Sequence, residues 1–174
     1  MQWFFYGTLL DPDIRRLVFP HAHEGVALEP ALLPGFRRVR CQGALYPVLT
    51  PASGQRVPGL VCRGLDERAV LRMAHFEGTQ YHPAALEVRL PSGEKQRAWL
   101  FMPRHGGFAT REPWTYERWL RTSKHRIMHK VHFWMSQCGV ETMGSPEILW
   151  HVRRQIRAIA RTAERPAPAW RLAA

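Results

Sequence analysis

Strand-like sequence dominates this chain up to residue 103 and helical sequence takes over from Pro113, an order that limits the available folds more than any other feature. It predicts an α+β domain: a small mixed β-barrel, or strongly curved sheet, with flanking helices packed outside. "QWFFY" (2–6) is an aromatic-rich run that stops at Gly7 and reads as a buried strand. "LPGFRRVRC" (33–41) and "GALYPVL" (43–49) read as strands separated by a turn, and "GQRVPGLVCRGL" (54–65) resumes strand character after a Pro-Ala-Ser-Gly turn. "AALEVRL" and "KQRAWLFM" flank "PSGE" (91–94), a hairpin pattern. Between the strands, Asp11 with Pro12 starts a short helix. Asp66 caps a second over about 67–76, with Leu65, Val70, Met73, Ala74 and Phe76 on its buried side.

Downstream, "WTYERWLRTSKHRIMHKVHFWMSQCG" (114–139) reads as one helix ended by Gly139, with Tyr116, Leu120, Ile127, Val131 and Trp134 on one face. His125, His129 and His132 fall opposite at i, i+4 and i+7. That spacing can hold a transition metal, but no carboxylate or cysteine completes the set, so a solvated polar face is expected and no metal. A further helix begins at Ser145 and Pro146, with Ile148, Leu149, Val152, Ile156 and Ile159 on one side. Arg153, Arg154, Arg157 and Arg161, with Trp150, form its other side. Such a face suits an anionic partner, nucleic acid or membrane surface, or is simply solvated. The expected organisation is one domain over residues 1–139 and a basic helical extension over 140–174.

Charge follows the same division. The net charge of +11 splits into +3 over residues 1–103 and +8 over residues 104–174, so the basic character belongs to the C-terminal third. With 45% apolar residues the chain has material for a core and is not a disordered sequence. No apolar run approaches the roughly 20 residues that a spanning helix needs. The start, "MQWFFYGTLLDPD", has neither a basic opening nor a small-residue cleavage site, so no secretory signal is expected. The three cysteines, Cys41, Cys62 and Cys138, are widely spaced without paired zinc spacing, which fits reduced thiols in a cytoplasmic protein.

Two segments carry chemistry. In "LRMAHFEGTQYHP" (71–83), Glu77 sits between Phe76 and Gly78 at the end of an apolar helical pattern, where a surface carboxylate would have polar neighbours. In "FFYGTLL" (4–10) a strand runs out into Gly-Thr-Leu, leaving successive amides without ladder partners. Gly7 allows either a positive φ or close approach of another group. Such amides attract a carboxylate or a developing oxyanion, although an ordinary strand-to-helix turn has the same pattern.

Taken in order, "FFYGTLLDPD", "LPGFRR", "YPVLTP", "VPGLV" and "FEGTQYHP" followed by "LEV" resemble the γ-glutamylcyclotransferase-like family over about residues 3 to 120. The branch resembled includes γ-glutamylamine cyclotransferases and the plant avirulence-induced-gene proteins. The resemblance implies the small mixed barrel already expected. It also implies a substrate-binding loop at Tyr6, Gly7, Thr8 and Leu9, and a catalytic glutamate at Glu77, with Gly78 and Tyr81 following. Tyr81 then orients substrate or Glu77, or is a plain core tyrosine. The implied reaction is intramolecular aminolysis of a γ-glutamyl amide, releasing 5-oxoproline and an amine or amino acid. It calls for no metal, nucleotide, covalent nucleophile or other cofactor. One glutamate in apolar company, its pKa raised toward neutral, can act as base and then as acid. Where the family often has "LDxYEG" this chain has "MAHFEG": Ala74 stands for an acidic residue and Phe76 for tyrosine, which bears on the hydrogen bonds of Glu77 and on the substrate. Two other readings stay open: removal of a γ-glutamyl group from a biosynthetic intermediate, and a non-catalytic basic binding module of the same fold.

Overall fold

The computed structural model describes residues 1–22, 25–104 and 108–138, with Arg154 beyond them. Six strands and four α-helices follow in the order β1 (Gln2–Phe5), α1 (Pro12–Val18), β2 (Ala27–Cys41), β3 (Pro47–Arg63), α2 (Glu67–Glu77), β4 (Tyr81–Arg89), β5 (Lys95–Pro103), β6 (Ala109–Pro113), α3 (Tyr116–Thr122) and α4 (Lys124–Ser136). A 3-10 turn, Thr8–Leu10, joins β1 to α1. The expected α+β fold is what forms.

Five strands close on themselves. β3 pairs with β1, β1 with β5, β5 with β4, β4 with β2, and β2 returns to β3, while β6 adds to the other edge of β2. Only β1 and β5 run parallel, with Trp3 opposite Trp99; the barrel is therefore mixed. Closure removes sheet edges that would otherwise be open to pairing. It also explains why "QWFFY" is apolar without alternation. Trp3 and Phe5 face outward into a core shared with the helices. Phe4 and Tyr6 point the other way, into the ring with Leu33, Leu49, Val61, Val88 and Leu100. A strand buried on both faces has no solvent side to mark with polar residues. β3 lies close against β1 at Gly59, where a Cβ would stand 2.3 Å from the carbonyl oxygen of Phe5.

Several of the expected boundaries move: the strand expected over 33–41 begins at Ala27, and the one expected over 43–49 starts only at Pro47 after a turn. Pro-Ala-Ser-Gly does not end a strand: β3 continues through it, and the register slips there, with Pro34 opposite Arg56 and Phe36 opposite Pro51. The irregularity is a bulge within one long ladder, because β2 supplies partners on both sides of it. The helix expected over 114–139 is two helices, broken at Ser123, whose φ of −130° and ψ of −26° leave the helical path. Thr122 donates its hydroxyl to the carbonyl of Arg118 at 2.9 Å, and such back-bonding bends helices. The break rotates the second helix, so Ile127, Val131 and Met135 are buried with Trp119, whereas Leu120 and Trp134 are largely exposed. The strand β6 had no forerunner in the sequence reading.

His125, His129 and His132 are exposed along α4. Among the described residues no group of three His, Cys, Asp or Glu side chains stands close enough to share a metal ion. No described helix is long and apolar enough to cross a membrane. Gly139 and the helix expected beyond Ser145, including Arg153, Arg157 and Arg161, lie outside the described residues, and Arg154 is exposed.

Candidate active site

Glu77 is placed by the two ends of α2. At the start, Asp66 accepts a hydrogen bond from the amide of Ala69 at 2.7 Å. Ala69, Val70, Met73 and Ala74 then turn into the core. Ala74 is buried in that core, where its methyl packs. Arg72 fastens the helix by donating to the carbonyls of Leu17, Val18 and Cys138. At the far end Gly78 stops it with φ 67° and ψ −167°, a conformation that L residues avoid, and donates to the carbonyl of Ala74.

The last side chain of α2 meets a cavity of about 400 Å³, a size ordinary for a small-molecule site. All six residues expected at the site line it: Tyr6, Gly7, Thr8, Leu9, Glu77 and Tyr81. Phe76 lines it too, with Trp3, Phe5 and Phe101. Glu77 keeps a part of its surface open to the cavity, yet protein surrounds it on every other side. Burial pushes its pKa up to about 8. Among the described residues no hydrogen bond to its carboxylate is formed, so its oxygens are available to whatever enters.

Across the cavity, the 3-10 turn closes when the amide of Leu10 donates to the carbonyl of Gly7 at 3.0 Å. The amides of Thr8 and Leu9 precede that bond and have no carbonyl within the turn to donate to. Gly7 has φ −115°, so its role is not a left-handed backbone. It is close approach: a Cβ there would sit 3.3 Å from Cγ of Pro47. Tyr6 donates its hydroxyl to the carbonyl of Phe101. Tyr81 donates to the carbonyl of Pro47 at 3.3 Å and packs edge-on against Tyr46 at 6.3 Å. Burial, first of all, raises the pKa of both phenols, and the nearby Glu77 adds to it, so they stay neutral donors. Tyr81 therefore braces the 43–47 loop, which lines the same cavity as Glu77.

Several contributors have no clear mark in the sequence. Arg38 Nη1 donates to the carbonyl of Tyr6 at 2.6 Å and its guanidinium lies 4.5 Å from the ring centre of Trp114, which anchors the start of the loop. Burial lowers its pKa to about 10, so the cation persists at neutral pH. It stood within "LPGFRR", where strand alternation would leave it as one more solvated arginine. Tyr46, Ile127, Lys130, Val131 and Trp134 also line the cavity. They converge from elements more than 30 residues away from Glu77 in one direction and more than 45 in the other, a juxtaposition that no local spacing encodes. The three cysteines are buried free thiols. Burial raises their pKa values, Cys62 to about 11, so none is a thiolate at neutral pH.

Known proteins resemble this chain in sequence and in fold. The chain is similar to AIG2-like protein B of Arabidopsis thaliana, 34% identical over 125 residues that span 68% of each chain. It is also similar to AIG2-like protein A of the same plant, at 29% identity over 72% of this chain and 75% of that one. Among solved structures, the solution structure of an Arabidopsis thaliana protein matches with a TM-score of 0.55 at 25% identity, covering 74% of this chain and 86% of that one. A gamma-glutamyl cyclotransferase matches in fold, with a TM-score of 0.50 at 14% identity over 75% of this chain and 85% of that one. A family model described as gamma-glutamyl cyclotransferase, AIG2-like matches residues 3–121. Since that match takes in the first strand, the turn after it, Glu77 and Gly78 alike, the chain belongs to the gamma-glutamyl cyclotransferase, AIG2-like family.

Proposed function

We propose that this protein is a γ-glutamyl cyclotransferase in which Glu77 moves the protons. The observation that carries the reading is a lone carboxyl with a pKa of about 8, lining the same cavity as the Tyr6–Leu9 turn. In the reaction, the α-amino nitrogen of a γ-glutamyl amide attacks its own side-chain carbonyl carbon. A new C–N bond closes the five-membered ring of 5-oxoproline, and the C–N bond to the leaving amine breaks. Glu77 takes a proton from the α-ammonium group, making the nitrogen nucleophilic, and returns one to the departing nitrogen. A carboxyl poised near neutral pH suits both halves of that exchange.

Positioning supplies the rest. A cavity walled by aromatic rings keeps the glutamyl chain curled, and alignment of an intramolecular reaction of this kind is worth on the order of 7–11 kcal/mol. The amides of Thr8 and Leu9 offer hydrogen bonds to the α-carboxylate of the substrate or to the oxyanion that forms at the attacked carbonyl.

The test is release of 5-oxoproline from γ-glutamyl dipeptides and amides by purified protein. Glu77→Gln keeps the shape of the side chain and removes its proton exchange. Turnover should fall by about 10²–10⁴-fold with the fold intact. Undiminished release by a folded Glu77→Gln protein would remove Glu77 from the mechanism.

A further inference from the structure

The family match ends at residue 121, yet Ile127, Lys130, Val131 and Trp134 of α4 line the cavity that holds Glu77. α4 is fastened to α2 next to that carboxyl. Trp134 Nε1 donates to the carbonyl of His75 at 3.0 Å, and His75 Nε2 stands 3.1 Å from the carbonyl of Trp134. The two rings stack with centroids 4.8 Å apart and planes 17° from parallel. His75 is two residues from Glu77, so one wall beside the carboxyl comes from a helix outside the matched segment.

The chemistry of that wall is specific. Ile127 and Val131 are buried apolar side chains, and Trp134, 46% exposed, presents aromatic surface at the cavity. Among the described lining residues Lys130 is the only cation and Glu77 the only carboxyl. If the glutamyl half lies along Tyr6–Leu9 with its carbonyl at Glu77, the walls left for the leaving amine are the 43–47 loop and α4, and of the two only α4 carries a cation. We propose that α4 is the leaving-group wall of this enzyme, and that the amine it accepts is a hydrophobic amino acid: an apolar or aromatic body against Ile127, Val131 and Trp134, with a carboxylate toward Lys130. A leaving amine with a second cation, such as a diamine, would bring like charge to Lys130 and is selected against. The inference rests on the cyclotransferase reading and adds the substrate class to it.

The experiment measures kcat/KM for γ-glutamyl-phenylalanine, γ-glutamyl-alanine, γ-glutamyl-phenethylamine and a γ-glutamyl diamine. The phenylalanine compound should rank first and the diamine last. In Lys130→Gln the preference for phenylalanine over phenethylamine should shrink by roughly threefold, the scale of an exposed ion pair. In Trp134→Ala the preference for phenylalanine over alanine should shrink by roughly tenfold, and Trp134→Phe, which keeps an aromatic wall and the stack on His75, should restore most of it. A diamine that reacts as well as phenylalanine, or preferences that neither substitution moves, overturns the inference and leaves the cyclotransferase reading standing. Absence of 5-oxoproline from all four compounds is instead a failure of that reading. Calorimetric binding of the same compounds then decides the wall: the same rank order, dependent on Lys130 and Trp134, supports it, and an order independent of them overturns it.

Discussion

A carboxyl that is surrounded by aromatic rings and a helix end gives up its proton only when the pH is well above the usual carboxylate range, and Glu77 is held up to about 8 in this way. Its ordinary value is 4.5. Between those two pH values the folded chain keeps a proton that the unfolded chain has lost. The stability contributed by the neutral acid is therefore complete below about pH 4.5 and gone once the pH passes about 8. Glu77→Gln should match wild type at acid pH and become the more stable protein as the pH rises through that window, by on the order of 1–2 kcal/mol, because cavity water softens the cost of the ionised form. Urea melts of both proteins at pH 5 and pH 8.5 read the difference, since every other titrating group is common to them. The same proton governs catalysis: kcat/KM should climb with pH through about 8, and a profile flat across that range would separate Glu77 from the base. At this scale much of the site was legible. Gly7, Thr8, Leu9 and Glu77 stood out at glycine-punctuated ends of apolar runs, Tyr6 and Tyr81 were implied by the family resemblance, and all six line one cavity. Arg38 was not legible, because its charge is used by the carbonyl of Tyr6, which approaches only through the pairing of distant strands.

Among the elements, the turn after β1 and the loop that ends in Pro47 must approach closely, and Gly7 is the point of contact. In Gly7→Val the branched side chain meets Pro47 and forces the turn and the 43–47 loop apart. KM should rise and kcat fall, lowering kcat/KM by roughly 10–100-fold, while Thr8→Ala should be milder because backbone amides carry the contact. Steady-state kinetics with a melting curve for each variant check it, and an undisturbed Gly7→Val enzyme would place the site elsewhere. Caps and the hairpin followed from short-range chemistry: Asp11 accepts from the amides of Asp13 and Ile14, and Asp66 from that of Ala69, as their positions imply. The Pro-Ala-Ser-Gly bulge and the break at Ser123 did not. A long partner strand carries β3 through its turn residues, and back-bonding by Thr122 divides a helix whose apolar periodicity continues across it.

Across the whole molecule, α1, α3 and α4 are tied to one buried carboxylate. Asp11 is fully buried, accepts the Tyr116 hydroxyl at 3.0 Å and pairs with Lys124 Nζ at 2.8 Å, while Lys124 also reaches Asp13 at 2.7 Å. Removing one member of a buried pair leaves the other charge without compensation. Lys124→Met should cost about 2 kcal/mol, less than a fully enclosed pair because the lysine keeps some exposure. Urea denaturation measures it, and an unchanged midpoint would show that the capping amides and Tyr116 suffice. The order of apolar runs, caps and turn residues by itself determined an α+β domain, a curved sheet or barrel with outer helices, and put Glu77 at a helix end, because burial on both faces, capping and turn geometry act over a few residues. Only the tertiary structure decided the rest: that β2 runs unbroken opposite a bulged β3, that Arg38 holds the first loop, and that α4 walls the cavity beside Glu77 through Trp134 and His75. These contacts join residues from 15 to 59 positions apart, and chain closure, not local spacing, brings them together.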